Sequence, residues 1–416
     1  MTATLLLANI LAAMLLQLLV LAGVAMWRRA SSTPATGSPV PGDPVAATRS
    51  LAWSGTRDFR VVRREYEDPA GSQCSFYLTP VDGAELPPFK PGQFLTFQLQ
   101  PTVADDVPQR QRPITRCYSL SDQPDPRHYR ITIKRVPPPA SQPGLPAGLS
   151  SNHCHDHVQV GDVLQVKAPS GHFHLDVASL APVVLVGGGI GITPMMSMLR
   201  WCQAEQPGRT VHLFYGLRNS AEHAFKQTLE QLASTHSQVH LNVVYSQPGP
   251  DDVLGRDYQH TGHITVALLR QQLPLGAYQF YVCGPAPMME ALVPELLAWG
   301  VPQQDVHFEA FGPASVRLPV ASMPPAAILT STPLEVRFAR SGRTLPWDGQ
   351  QSNLLDFAER HGVAVDSGCR SGGCGSCETR LRKGTVSYAS APDHDPAPGH
   401  CLLCVATPTS DLELEA

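Results

Sequence analysis

The chain has 416 residues, with 31 lysines and arginines against 35 aspartates and glutamates, a formal charge of −4. That balance excludes the basic field of a sequence-independent nucleic-acid binder. Hydrophobic residues make up 43% and charged residues 16%, which excludes disorder throughout. At roughly 100–200 residues per domain the length accommodates two to four domains. The 40 prolines gather between the periodic runs, as stiff connectors would. Of ten cysteines, five are scattered through the first 283 residues and five crowd into 369–404. A secreted disulfide framework would spread them, so the crowded group points to a metal or cluster site.

Leu5 to Trp27 carries no charged residue, and only Asn9 and Gln17 are strongly polar. At about 1.5 Å per residue such a run crosses the roughly 30 Å hydrocarbon core, so a transmembrane helix is expected over 5–27. A cleaved signal peptide wants positive charge before the apolar run, whereas Arg28 and Arg29 follow it. Those arginines favour the cytoplasmic side, which predicts a single-pass membrane protein with its globular body facing the cytoplasm. Residues 28–52, rich in Pro, Gly, Ser and Thr, read as a linker.

Short alternating apolar runs punctuated by Gly and Pro fill 53–178, among them Phe94–Leu99, Tyr129–Lys134 and Val163–Val166. This spacing predicts an antiparallel barrel or sandwich. From 179 to 312 the pattern becomes βαβ, with Val183-Val184-Leu185-Val186 as a buried strand and helical stretches between further strands, which predicts an α/β domain on a parallel sheet. A second Pro/Ala-rich linker covers 313–332, and 333–416 forms a small unit holding half the cysteines.

Gly187-Gly188-Gly189-Ile190-Gly191-Ile192-Thr193-Pro194 joins strand to helix. Glycines bring backbone amides close to an anion, Thr193 suits the N-cap and Pro194 the first helical position, so the helix end would face a pyrophosphate. The run is not G-x-G-x-x-G, and on its own a merely tight strand–helix turn is the less favoured alternative. Further segments occur in a fixed order: Arg116-Cys117-Tyr118-Ser119-Leu120-Ser121, Ile131-Thr132-Ile133-Lys134, Gly148-Leu149-Ser150-Ser151, Cys283-Gly284-Pro285 and Glu309-Ala310-Phe311-Gly312. Together with the glycine loop they resemble the ferredoxin–NADP reductase superfamily, a flavin barrel followed by a nicotinamide domain, over about Phe59 to Gly312.

The resemblance implies roles for these positions. Arg116 would pair with a flavin phosphate, Tyr118 would lie on the isoalloxazine, and Ser119 would bond near N5, with Leu120, Ile133 and Lys134 alongside. Gly148, Ser150 and Ser151 resemble a second phosphate site, which favours FAD over FMN. Gly187, Gly188, Gly189, Gly191, Thr193, Pro194, Gly284 and Pro285 would contact the nicotinamide nucleotide. Cys283 would sit by its C4, while Glu309 and Phe311 would close the opposite flavin face. Ser119 and Cys283 are thus the two catalytic candidates. After Tyr215-Gly216 stand Arg218, Asn219 and Glu222, a mixture of basic and acidic groups that leans to NADH.

Cys369, Cys374 and Cys377 with the distant Cys404 give C-x4-C-x2-C…C, the plant-type [2Fe–2S] spacing. The intervening glycines would let amide N–H groups point at the sulfurs. Residues 333–416 resemble a complete ferredoxin domain of α+β fold. Cys401 leaves an alternative: Cys374/Cys377 and Cys401/Cys404 as the two pairs of a zinc ribbon, which leaves Cys369 unexplained. His153 and His157 would share a helix face, as an ordinary surface pair. Cys74, Cys117, Cys154 and Cys202 read as buried packing thiols.

The order flavin barrel, nicotinamide domain, ferredoxin resembles phthalate dioxygenase reductases and hybrid-cluster protein reductases. It implies that NAD(P)H gives hydride to FAD and that electrons pass singly through [2Fe–2S] to a protein acceptor, such as an oxygenase, desaturase or hybrid-cluster protein. An anchored redox or NAD(P)H sensor holding the same cofactors is the alternative. No nucleic-acid role is expected.

Overall fold

The computed structural model describes residues 53, 55–100, 114–138, 144, 146–311, 334–388, 392 and 394–416. The expected transmembrane helix over 5–27 and both linkers lie outside them. Among the described residues no helix is long and apolar enough to cross a membrane. Residues from Ala52 to Ala416 form one compact unit built on three sheet systems.

The first is six-stranded and antiparallel: β1 (Thr56–Tyr66), β2 (Gln73–Pro80), β3 (Phe94–Leu99), β4 (Ile114–Ser119), β5 (Tyr129–Lys134) and β6 (Val163–Ser170). Its order is β4-β3-β6-β1-β2-β5, and a bridge between Leu120 and Ile131 brings the two edges together, which closes it towards a barrel. Alternate residues such as Phe59, Val61, Phe76, Leu95 and Phe97 fill the interior. The short helix α1 (Leu149–Asp156) packs beside β5.

The second sheet is parallel, with order β10-β9-β8-β7-β11-β12. It comprises β7 (Val183–Gly188), β8 (Val211–Leu217), β9 (Val239–Tyr245), β10 (His260–Thr261), β11 (Gln279–Gly284) and β12 (Val306–Ala310). Helices α2 (Ile192–Glu205), α3 (Lys226–Thr235), α4 (Val266–Gln272) and α5 (Ala286–Ala298) connect the strands. All six β7 residues are buried, because Val183 and Leu185 feed one hydrophobic core and Val184 and Val186 the other. A parallel sheet covered on both faces requires that continuous apolar run. The chain leaves β7 in one direction through β8, β9 and β10 and returns on its other side with β11 and β12. The switch point therefore lies between the carboxyl ends of β7 and β11, where such sheets bind ligands.

The third part contains β13 (Glu335–Phe338), β14 (Arg343–Pro346), α6 (Leu354–Arg360), β15 (Glu378–Lys383), β16 (Val386–Tyr388), β17 (His400–Leu402), β18 (Ala406–Pro408) and β19 (Leu412–Leu414). Its main sheet has order β14-β13-β19-β15-β17, and β16 pairs separately with β18. Phe338, Phe357 and Leu402 centre its core.

Candidate functional site

A cavity of about 690 Å³ runs from β4 across β5 to the start of α1. Arg116, Tyr118 and Ser119 line it from β4, Ile133 and Lys134 from β5, and Glu309 and Phe311 from the end of β12. Arg116 is exposed, and its guanidinium donates to the adjacent Thr115 carbonyl at 2.7 Å, leaving other N–H groups for an anion. Burial pushes the Tyr118 hydroxyl well above its usual range. Gly148 caps α1 without a side-chain hydrogen bond, so the first-turn amides keep their hydrogen-bonding capacity. Ser150 Oγ is buried there without a partner, whereas Ser151 Oγ accepts from Val136 N and donates to Gly148 O, both at 3.2 Å. An uncapped helix start beside an unpaired buried hydroxyl suits a phosphate oxygen, and the residues present therefore fit a flavin phosphate. Glu309 Oε2 is likewise buried and unpaired, and burial pushes that carboxyl up to about 8. Leu120 departs from expectation. Its side chain is fully buried in the barrel core, because the strand's alternation turns it inward.

A second cavity, of about 590 Å³, opens at the switch point between Gly188, Gly189 and Pro285, with Arg218 and Glu222 further out. Lys134 lines both cavities. Gly189 has φ +53°, which glycine adopts without strain. At Gly191 a Cβ would lie 2.2 Å from the Cys283 carbonyl oxygen, so only glycine allows the loop to cross β11 there. Gly187 and Gly284 are similarly tight, against the Ile192 backbone and Gly188. The helix start differs from the sequence reading. α2 begins at Ile192 with Gly191 as N-cap, and Thr193 falls within the first turn, where its hydroxyl donates to Ile190 O at 3.0 Å. Pro194 is accordingly the third helical residue rather than the first, still within the turn whose amides lack helical partners. Thr193 faces the flavin cavity, whereas Pro194 is buried. Cys283 is fully buried at the end of β11 and lines neither cavity, and burial pushes its thiol well up.

The cluster cysteines occupy a loop held by its own amides. Cys369 Sγ accepts from the N–H groups of Ser371, Gly373 and Cys374 at 3.4, 3.2 and 3.3 Å. Cys374 Sγ accepts from Cys369 N at 3.2 Å, and Cys377 Sγ from Cys404 N at 3.5 Å. Cys377 and Cys404 bring their sulfurs within 3.1 Å. Such donors stabilise thiolates, the form that binds iron, and this set fits a [2Fe–2S] cluster. Arg370 adopts φ +58° between these ligands, pinned by Asp356 at 3.1 Å and by Glu359. Cys401 packs in the domain core, and burial pushes its thiol up to about 12. A zinc ribbon using Cys401 would leave the amide-cradled Cys369 without a role.

The cluster loop meets the flavin cavity directly, since Cys369 and Arg370 form part of its wall. Lys167 Nζ on β6 donates to the Cys374 carbonyl at 2.7 Å. Cys117 corrects the sequence reading. Cys74, Cys154 and Cys202 do pack in the cores, but Cys117 lines the flavin cavity beside Cys369, and the Cys369 and Cys374 thiols push its own thiol well up. Its place between Arg116 and Tyr118 on a strand was the available signal, since alternate residues there face opposite sides. His153 and His157 do stack, with ring centroids 5.4 Å apart, and His155 Nε2 bonds Ile133 O at 2.9 Å.

Comparison with known proteins agrees with this geometry. Residues 185–293 match the family described as oxidoreductase NAD-binding domain, and residues 336–409 match the 2Fe-2S iron-sulfur cluster binding domain. A flavohemoprotein of Rhizobium meliloti is 38% identical over 265 residues, 64% of this chain and 62% of that protein. One of Halalkalibacterium halodurans is 39% identical over 267 residues, again 64% and 62%. The chain thus spans about 62% of the length of these curated relatives. Among solved structures, the flavohem-like FAD/NAD binding domain of a Vibrio cholerae nitric oxide dioxygenase is 33% identical with a TM-score of 0.53, covering 62% of this chain and all of that one. Phthalate dioxygenase reductase is 27% identical with a TM-score of 0.50, covering 87% of this chain and 98% of that one. FAD, NAD(P)H and a [2Fe–2S] cluster are the cofactors these matches assign.

Proposed function

We propose that this chain, a member of the FAD- and NAD-binding oxidoreductases followed by a 2Fe–2S domain, is an NADH-favouring reductase that serves a separate redox protein. The observation carrying the reading is that Cys369, a cluster ligand, lines the same cavity as Arg116, Tyr118 and Ser119. When bound, the flavin supplies hydride acceptance from NAD(P)H, and the cluster supplies one-electron transfer. The protein's own groups position and enclose. Arg116 and the start of α1 would hold phosphates, and Ser119 would offer a hydroxyl to the flavin. Phe311 and Tyr118 would exclude water, and Glu309, whose carboxyl burial pushes up to about 8, lines the same cavity. The glycines of the β7–α2 loop admit the nucleotide at the switch point.

The acceptor of this proposal is an oxygenase, desaturase or hybrid-cluster protein, as the arrangement shared with phthalate dioxygenase reductase suggests. The apolar run over 5–27 supports a membrane anchor with the redox domains facing the cytoplasm. Glu222, already paired with Arg218 at 3.3 Å, leaves less positive charge for a 2′-phosphate and supports NADH.

The test is the absorption spectrum of the detergent-purified protein before and after anaerobic NADH. Flavin bands and a broad iron–sulfur envelope, both bleached, are expected. A flavin spectrum without iron colour would sink the reading, and bleaching by NADPH alone would reverse the nucleotide preference. Brisk turnover with ferricyanide separates a reductase from a sensor. Removing residues 1–52 should abolish activity towards a membrane acceptor while sparing ferricyanide reduction.

A further inference from the structure

Three neighbouring strands of the barrel, in the order β4-β3-β6, set Cys117, Thr96 and Lys167 side by side. Thr96 is the register partner of both Cys117 and Lys167. Leu95, Phe97 and Val166, the alternate residues, fill the barrel core, so the row faces outward. Thr96 nevertheless has no exposure, because the cluster loop covers that face. Lys167 Nζ donates to Cys374 O at 2.7 Å, and Thr96 Oγ1 lies 3.4 Å from Cys117 Sγ. Cys117 shares a cavity wall with Cys369, and the neighbouring Cys369 and Cys374 thiols push its own thiol well up. Phe94 and Ser170, one step along the same strands, flank Gly373 so closely that a Cβ there would lie 3.2 Å from each.

We infer that the row Cys117–Thr96–Lys167 seats the flavin-facing edge of the iron–sulfur cluster and raises its affinity for an electron, through the Cys117 S–H and the Lys167 ammonium. One-electron reduction makes the cluster more negative by one charge. A thiol donor facing the sulfurs and a cation on the carbonyl of the Cys374 loop therefore stabilise the reduced form more than the oxidised one. Both are positioning residues, since neither is a ligand. The inference rests on the proposed function for the presence of a cluster, and is independent of the acceptor.

The test is potentiometry of the cluster in the full-length holoprotein, followed by electron paramagnetic resonance, for Cys117→Ala and Lys167→Gln. Each should lower the equilibrium constant for cluster reduction by up to about tenfold, equivalent to about 59 mV for one electron. Cys117→Ser, which keeps a donor, should recover most of the shift, and in Lys167→Gln, which lies outside the flavin cavity, the flavin potential should not move. An unmoved midpoint in both variants, with the full cluster signal, would overturn the inference. Should Cys117→Ala hold no cluster, Lys167→Gln decides alone on the same criterion. A wild-type protein without any cluster signal overturns the electron-transfer reading itself, and this inference with it.

Discussion

Lys134 Nζ lies 2.5 Å from Glu222 Oε2, an ion pair that ties β5 of the barrel to the turn after β8 of the parallel sheet. The same turn holds the barrel by its backbone, through Gln73 Nε2 to Glu222 O at 2.9 Å and Ala70 N to Ala221 O at 2.9 Å. Glu222 therefore balances both Lys134 and Arg218 at the rim of the nucleotide cavity.

Glu222→Gln should free those two cations for a 2′-phosphate. The ratio of kcat/KM for NADPH over NADH should rise roughly tenfold, about 1.4 kcal/mol. Steady-state kinetics with both nucleotides measures it, and an unchanged ratio would place the ribose end elsewhere.

The two loop glycines should respond differently. Gly191→Ala drives a methyl into the Cys283 carbonyl, a backbone group that cannot swing away, and should cost about 3 kcal/mol or more. Gly189→Ala meets nothing within 4 Å and bears only the strain of its positive φ, about 1–2 kcal/mol. Urea denaturation followed by circular dichroism should rank them in that order.

Acidification should weaken the parallel-sheet domain. Burial pushes His212 down to about 4, assisted by His240 stacked at 4.6 Å, and burial likewise holds His223 at about 4. An unfolded histidine titrates near 6.5. Between about 4 and 6.5 the unfolded chain thus binds more protons than the folded one, and stability is lost as pH falls through that window. The slope reaches about 1.4 kcal/mol per histidine per pH unit. The urea midpoint should fall between pH 7 and pH 5; a flat profile would contradict the assignment of both rings as neutral.

Cys404→Ser and Cys401→Ala should separate the fourth ligand from its neighbour. The first should lose most of the iron–sulfur absorbance. The second should keep it, with about 1 kcal/mol less stability from a buried side chain shortened by one atom. Equal loss in both would revive a site that uses Cys401.

Much of this was legible in the chain because it is local. Spacing singled out Cys369, Cys374 and Cys377, and the likeness of its surroundings to a ferredoxin strand chose Cys404 over Cys401. Short motifs singled out Arg116, Ser119 and the β7–α2 glycines, because a close backbone approach leaves its mark as glycine at fixed positions. What escaped depends on strand register. Nothing near Cys117 in sequence announces Lys167 or Cys374, and a thiol between two motif residues reads as filler until three strands are aligned. The start of α2 moved for a similar reason. Thr193 has an N-cap's chemistry, but the loop glycines bring the chain into the helix two residues sooner, with Gly191 at φ −62°.

The covered outer face of β3 bears on which protein chooses the electrons' destination. With the Cys369–Cys374 edge closed off by the barrel, the Cys377–Cys404 edge lies behind the small domain's own wall, each of these cysteines only 4% exposed. Under the proposed function, a client approaching that wall would not need to touch the flavin half at all. Inlet and outlet would then sit on separate surfaces that can change independently: one would fix which fuel is burned, the other which customer is served.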